Sequence, residues 1–386
     1  MGYLWGKPAV MIAFGVMMIV LVSSGICKAK KVPANFVFGD SLVEAGNNNY
    51  IATLSRCNFV PFGIDLGGRP TGRFTNGRTI VDIVGKFSSL LLLGFSSSIQ
   101  KRQEVGLEDF TPPYMAPTTT GNATLKGVNY ASGGGGICNE TGFIFGRRFN
   151  MDEQLDYFAN TRQDIISTIG GPAARRLFRT ALFSTAMGAN DFINNYLTPV
   201  LSIPERQTVS PKEFVDLLIV RYRLQLTRLY KLGARKIVVV NVGPIGCIPY
   251  QRDLNPSAGK KCVAFPNYLA RLFNRRLKKL VPELRRELKR SQFVYADVYR
   301  IVDDIIQNYT SYGFQVSDTG CCKIAGRFGG LIPCGPPSHV CPDRTKYVFW
   351  DPYHPTDAAN IIIAKRLMDG GSDDISPMNI RQLVRS

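Results

Sequence analysis

The chain has 386 residues, of which 45% are hydrophobic and 20% charged, and a formal net charge of +18. This balance excludes a chain too polar to build a core. The excess of Lys and Arg favours polyanions or anionic surfaces, but the sequence carries no nucleic-acid-binding motif, and nucleic acid is not expected as a partner.

The chain opens with Lys7, the apolar run "AVMIAFGVMMIVLV" (residues 9–22) and the small residues "SSG". A basic start, a short apolar stretch and small residues predict a signal peptide over 1–27, with an uncleaved anchor as the alternative. The run is short for a membrane span, which needs about 20 apolar residues. No stable span is expected after cleavage, and the mature chain is expected outside the cell, in the apoplast or cell wall. Removing 1–27 takes away Cys27 and leaves eight of the nine cysteines. In an oxidising compartment these are expected to form disulfides, with no pairing assigned. The alternative, zinc held by Cys321, Cys322, Cys334, His339 and Cys341, suffers from irregular spacing. Sequons at Asn122, Asn139 and Asn308 predict glycosylation along the same route.

Apolar runs then alternate with helical patterns. "NFVFGDS" (35–41) predicts a buried strand. So do "ALFSTAMGAND" (181–191), "KIVVVNVGPIGC" (236–247) and "QFVYADVY" (292–299). "FVDLLIVRYRLQLTRLYKLG" (214–233) reads as a helix closed by Gly233. In 271–290, Leu272, Phe273, Leu277, Leu280, Val281, Leu284 and Leu288 recur at helical spacing, with basic residues on the other face. Pro282 is expected to kink or split that helix. Its basic face is a candidate contact for acidic cell-wall polysaccharide. The alternation predicts an α/β fold with a parallel sheet covered on both faces. No internal repeat or linker is evident, so residues 28–386 are read as one domain.

In such sheets ligands bind beyond the carboxyl ends of the strands. Ser41 ends the first strand and Asn190 the second, which predicts a shared rim. A serine hydroxyl becomes a competent nucleophile when a base removes its proton. The chain has two histidines. His339 lies among cysteines in "CGPPSHVC" and reads as structural. His354, in "WDPYHPTDAAN", follows Asp351 by three residues. Pro352 and Pro355 stiffen this loop, and Pro355 suits the first turn of a following helix. The carboxylate could therefore hold the imidazole in one tautomer. Donors for a developing oxyanion are available from the Ser41 N–H, the "NYASGGGGI" loop (129–137) and the Asn190 side chain. As plain structure, Gly133–Gly136 would be a flexible turn and Asn190 a helix cap. Neither a G-x-S-x-G elbow nor a phosphate-binding loop occurs.

"FVFGDSLVEAGNN", "GVNYASGGGGI", "GAND" and "DPYHPTDAAN", in this order, resemble the four blocks of the GDSL esterase/lipase family of the SGNH-hydrolase superfamily, in its secreted plant branch. "RPTGRFTNGRTIVDIVG", "GCCK" and "SPMNIRQL" are similar to the same branch. The resemblance covers nearly all of 33–384. It implies a three-layer α/β/α sandwich with a mainly parallel, flavodoxin-like sheet. It implies Ser41 as nucleophile, His354 as base and Asp351 as its partner. It implies an oxyanion hole of Ser41, Asn190 and a loop glycine, chosen by position as Gly134 with Gly133 next. The implied activity is hydrolysis of acyl or lipid esters without metal or organic cofactor. An acyltransferase using the same triad, and a basic cell-wall-binding protein with a vestigial site, are the alternatives. One stretch departs from the family pattern. "KFSSLLLLGFSSSIQKR" (86–102) interrupts an otherwise ordinary join of Gly85 to Gln103 and reads either as a lipid-facing or helix-extending insertion or as a translated intron. Cys57 also stands where a small non-cysteine residue is expected.

Overall fold

The structure, a computed structural model, describes residues 34–91, 110–199, 208–259 and 261–386, with the side chains of 87–91 left aside. The expected signal peptide lies outside the described residues, as does 92–102 of the interrupting segment.

Four strands line up in chain order: β1 (Asn35–Gly39), β2 (Leu182–Ala186), β3 (Lys236–Val240) and β4 (Gln292–Ala296), all parallel. Each is nearly all apolar and buried, as a strand covered on both faces must be. Each is also shorter than the segment expected for it. The chain leaves the ladder at Gly39 and Ala186, so that Asp40–Ser41 and Gly188–Asn190 fall on loops at the sheet's rim. The short strands β5 (Val316–Gly320) and β8 (Tyr347–Phe349) pair with each other, as do β6 (Cys322–Lys323) and β7 (His339–Val340). Strand β9 (Ile375–Ser376) adds an antiparallel edge to β4.

Helices form the outer layers. On one side α2 (Met151–Ile169), α4 (Pro211–Lys231) and α5 (Ala264–Glu287) pack side by side, with the shorter α3 (Gly171–Thr180) against α2. On the other, α7 (Asp357–Asp369) packs against α1 (Ile80–Leu91), α6 (Val298–Gln307) and α8 (Ile380–Arg385). The result is the three-layer α/β/α sandwich. Helix α4 starts at a capping box between Ser210 and Glu213, with Pro211 in its first turn.

Two expectations are corrected. Helix α5 is not split at Pro282 but runs on to Glu287, because Leu277, Leu280, Val281 and Leu284 stay in register on one buried face and their burial outweighs one missing backbone bond. Pro355 lies ahead of α7, whose N-cap is Thr356, so it stiffens the loop instead of starting the helix. Helix α1 continues past Gly85 to Leu91, as the helix-extending reading of the interrupting segment has it.

Disulfides join Cys247 to Cys262, Cys321 to Cys341 and Cys322 to Cys334. Cys57 is buried outside these pairs, so not all eight expected cysteines are bridged. Four of the residues weighed as zinc ligands are thus disulfide sulfurs, and His339 is exposed on β7.

Candidate active site

Strand β1 ends where Gly39 lies against β2. A Cβ at this position would come within 2.4 Å of Val43 and 2.8 Å of the Ala186 carbonyl, so a side chain there would push the turn out of place. The buried Gln154 amide holds Gly39 at both its N–H (2.9 Å) and its carbonyl (2.8 Å). Asp40 turns the chain by accepting the Leu42 N–H at 3.0 Å, and the half-buried Ser41 stands at the apex. Burial pushes the Asp40 carboxyl up to about 7.

The other half of the site comes from the far end of the chain. His354 Nε2 is 2.8 Å from Ser41 Oγ. Its Nδ1 is 2.8 Å from both oxygens of the buried Asp351. Asp351 Oδ1 also accepts the Tyr353 and His354 N–H groups at 2.8 Å each. A carboxylate on Nδ1 places that proton there and leaves Nε2 as an acceptor towards serine. The loop is supported from below. Cys321 and Cys322 donate their N–H groups to the carbonyls of Phe349 and Trp350, so two disulfides lie directly under Asp351. Trp350 is fully buried among them with Phe62.

A third segment, 73–78, holds this loop from the side. The Phe74 ring lies 5.1 Å from the imidazole, centre to centre. Thr75 Oγ1 donates to the Pro355 carbonyl at 3.1 Å. Arg78 takes Asp357 in a bidentate grip, with Nε at 2.9 Å and Nη2 at 2.7 Å. The segment is anchored by Arg73, whose buried guanidinium pairs with Asp82 at 2.7 and 2.9 Å.

The glycine loop is packed, not flexible: Gly133 to Gly136 are all buried. Gly134 has φ +82°, a backbone region open to glycine. Asp191 ties the loop to the "GAND" turn by accepting the Ile137 and Cys138 N–H groups and the Thr141 hydroxyl. Asn190, in the turn Ala189–Asp191, donates through Nδ2 to the Gly135 carbonyl at 3.0 Å, while its Oδ1 accepts from Asn194. The amide is thereby fixed with Nδ2 towards the loop, and one Nδ2 hydrogen remains. Among the described residues the Ser41 and Gly134 N–H groups have no protein acceptor.

Ser41, Gly134, Asn190, Asp351 and His354 share the lining of one cavity of about 280 Å³. Apolar side chains dominate its walls, among them Leu54, Phe59, Phe145, Ile193 and Ile248. His339 is not part of it. The three sequon asparagines, Asn122, Asn139 and Asn308, are exposed. The sequence reading gave no role to Glu44, Asn47, Asn48, Phe74 or Arg78. The repeated asparagines at 47–49 were a visible signal, but Asn47 and Asn48 reach partners 82 and 85 residues away.

A serine hydroxyl against a carboxylate-held imidazole, in an apolar cavity at the carboxyl rim of a parallel sheet, fits one class: the protein is a carboxylic ester hydrolase. It belongs to the GDSL-like Lipase/Acylhydrolase family, whose model matches residues 36–367. A GDSL esterase/lipase of Arabidopsis thaliana is 61% identical over 370 residues, 96% of each chain. Two others from the same plant are each 50% identical, over 354 and 359 residues, covering 91% and 92% of this chain and 87% and 91% of their own.

Proposed function

We propose that the chain is a secreted esterase that hydrolyses acyl esters through an acyl-enzyme on Ser41, with His354 as general base and acid and Asp351 as its orienting partner. The reading rests on one observation above all, the run of 2.8 Å contacts from Ser41 Oγ through the imidazole to Asp351. Ser41 Oγ attacks the ester carbonyl carbon while Nε2 takes its proton. The carbonyl electron pair moves onto oxygen, which receives the N–H groups of Ser41 and Gly134 and the second Nδ2 hydrogen of Asn190. Collapse expels the alcohol, which leaves with the proton from His354. Water then attacks the acyl-serine, giving a proton to His354. The acid departs, and the proton returns to Ser41 Oγ.

The apolar cavity suits an apolar acyl chain, whose transfer from water gains about 0.8 kcal/mol per buried CH₂. Among the described residues no helix is long and apolar enough to cross a membrane. The apolar amino-terminal run that follows Lys7, the disulfides and the exposed sequons support secretion into the apoplast, with the basic face of α5 contacting acidic polysaccharide. Residues 28–386 act as one domain.

Ser41→Ala tests the reading. It removes one oxygen and should leave the fold intact. We expect loss of hydrolysis across a panel of acyl esters by at least about 10³-fold, together with loss of labelling by a serine-directed fluorophosphonate. Turnover near the wild-type rate in folded Ser41→Ala would overturn it.

A further inference from the structure

Of the residues behind the candidate oxyanion donors, Asn48 makes the connection that bears most directly on chemistry. It is 1% exposed and every polar atom of its side chain is used. Nδ2 donates to the Ser55 carbonyl at 2.7 Å and to the Gly133 carbonyl at 3.0 Å. Oδ1 accepts the Ser132 hydroxyl at 2.5 Å. The Ser55 and Gly133 carbonyls can only accept, which settles that the amide turns its NH₂ end to them and its oxygen to the Ser132 hydroxyl.

The Gly133 carbonyl belongs to the same peptide unit as the Gly134 N–H. In a trans peptide these two groups point in opposite directions. Pinning the carbonyl on Asn48 therefore turns the Gly134 N–H to the opposite side of the peptide plane, and Gly134 lines the cavity that holds Ser41. Glycine on both sides of the unit makes this control necessary. With no Cβ at either residue, the peptide plane can rotate with little steric resistance. The preceding N–H, that of Gly133, is held separately by the fully buried Glu44 at 2.5 Å. Glu44 also accepts the Asn48 N–H at 2.7 Å. Two residues of the segment that carries the nucleophile thus grip both ends of Gly133.

We infer that Asn48 is a positioning residue for the oxyanion hole: its Nδ2–H···O=C bond to Gly133 orients the Gly134 N–H towards the oxygen that becomes negative in the transition state. Glu44 supports it by fixing the Gly133 N–H. Asn48 does not touch substrate, and acts only through this peptide. The inference rests on the proposed reaction at Ser41 and deepens it.

A preorganised donor acts on the developing charge and not on the neutral ester. Asn48→Ala should therefore lower kcat by about 10- to 100-fold and leave KM within about twofold. It should weaken a trifluoromethyl ketone, which forms an oxyanionic adduct on serine, by a similar factor. The corresponding alcohol, which forms no adduct, should bind as before. Asn48→Asp, which keeps the size and the acceptor for Ser132 but removes the donor, should act in the same direction. Ser132→Ala, which frees the amide to rotate, should show a smaller loss of the same kind. If Asn48→Ala fails to fold, the other two variants decide. Folded variants with unchanged kcat and ketone affinity would overturn the assignment. So would equal weakening of ketone and alcohol, which would mean a collapsed pocket. Ser41→Ala measured in parallel separates the two levels. An active Ser41→Ala would defeat the reaction itself, whereas an inactive Ser41→Ala beside fully active Asn48 variants would defeat only this inference.

Discussion

Arg78 and Asp357, 279 residues apart, are joined by three hydrogen bonds: Asp357 accepts the Arg78 backbone N–H at 2.6 Å and the guanidinium Nε and Nη2 at 2.9 and 2.7 Å. Asp357 opens α7, three residues after His354, and its own N–H donates to Asn76 at 2.9 Å. The start of that helix is therefore fixed against the segment that carries Phe74, and Phe74 lies against the imidazole. This is a bridge between two loops that share no secondary structure.

Arg78→Met should loosen the bridge without touching the cavity. The planar fork of arginine matches a carboxylate in a way that the lysine ammonium does not, so Arg78→Lys should restore only part of the loss. We expect kcat to fall about 10-fold in Arg78→Met, since a displacement of about 1 Å in a catalytic group is costly. KM should change less. Steady-state kinetics on a soluble acyl ester, with thermal unfolding alongside, checks this. A full rescue by lysine, or a loss confined to KM, would count against the bridge as a positioning device.

The sequence displayed the frame of the site more clearly than its supports. Strands β1 to β4 announce themselves because burial on both faces demands unbroken apolar runs. Asp351 and His354 stand three apart on a proline-stiffened loop, so their meeting is a local matter. Their approach to Ser41 across 313 residues followed from the rim rule for parallel sheets and from the ordered family blocks. The roles of Asn48, Glu44 and Phe74 were not legible. Each depends on a partner brought near by topology, and a buried asparagine has the same one-letter code as one in a solvent-exposed turn. The continuous helix through Pro282 escaped for the opposite reason. A local rule pointed to a break, and tertiary packing of four buried residues overrode it.

The outer face of α5 should bind a polyanion by a salt-sensitive attraction. Arg275, Lys279, Arg285 and Arg286 are exposed there. The two acids of the helix, Glu283 and Glu287, are both engaged by Arg223 of the neighbouring α4, at 2.5 and 2.7 Å. They do little, therefore, to neutralise their own helix. Exposed charges are screened beyond about 8 Å at physiological ionic strength. Retention of the protein on a polygalacturonate matrix should fall steeply with added salt. Lys279→Glu combined with Arg286→Glu should elute earlier still. Retention indifferent to both would remove this face as a partner surface.

Stability should decline as pH rises from about 4 to about 8, because two buried carboxyls near Ser41 resist ionisation. Burial raises Glu44 from an ordinary 4.5 to about 8 and Asp40 from 3.8 to about 7. For Glu44 the Asn48 and Gly133 N–H groups and the Arg73 charge pull the other way, while Asp40 adds repulsion. Between the ordinary and the raised values, the native state keeps protons that the unfolded chain has released. The native state then binds more protons, so the free energy of unfolding falls with increasing pH across that window. Carboxylates paired with arginine have the opposite sign. Asp82 beside Arg73, and Asp65 beside Arg344 and Asn76, are held below the usual range and cost stability only when the pH falls below about 4. The two effects together place maximal stability in the mildly acidic range. Glu44→Gln carries no proton to release, so its melting temperature should fall less steeply between pH 5 and 8 than that of the wild type. Thermal unfolding followed by circular dichroism across this range provides the comparison, and parallel slopes for the two proteins would show that Glu44 is already ionised in the native state.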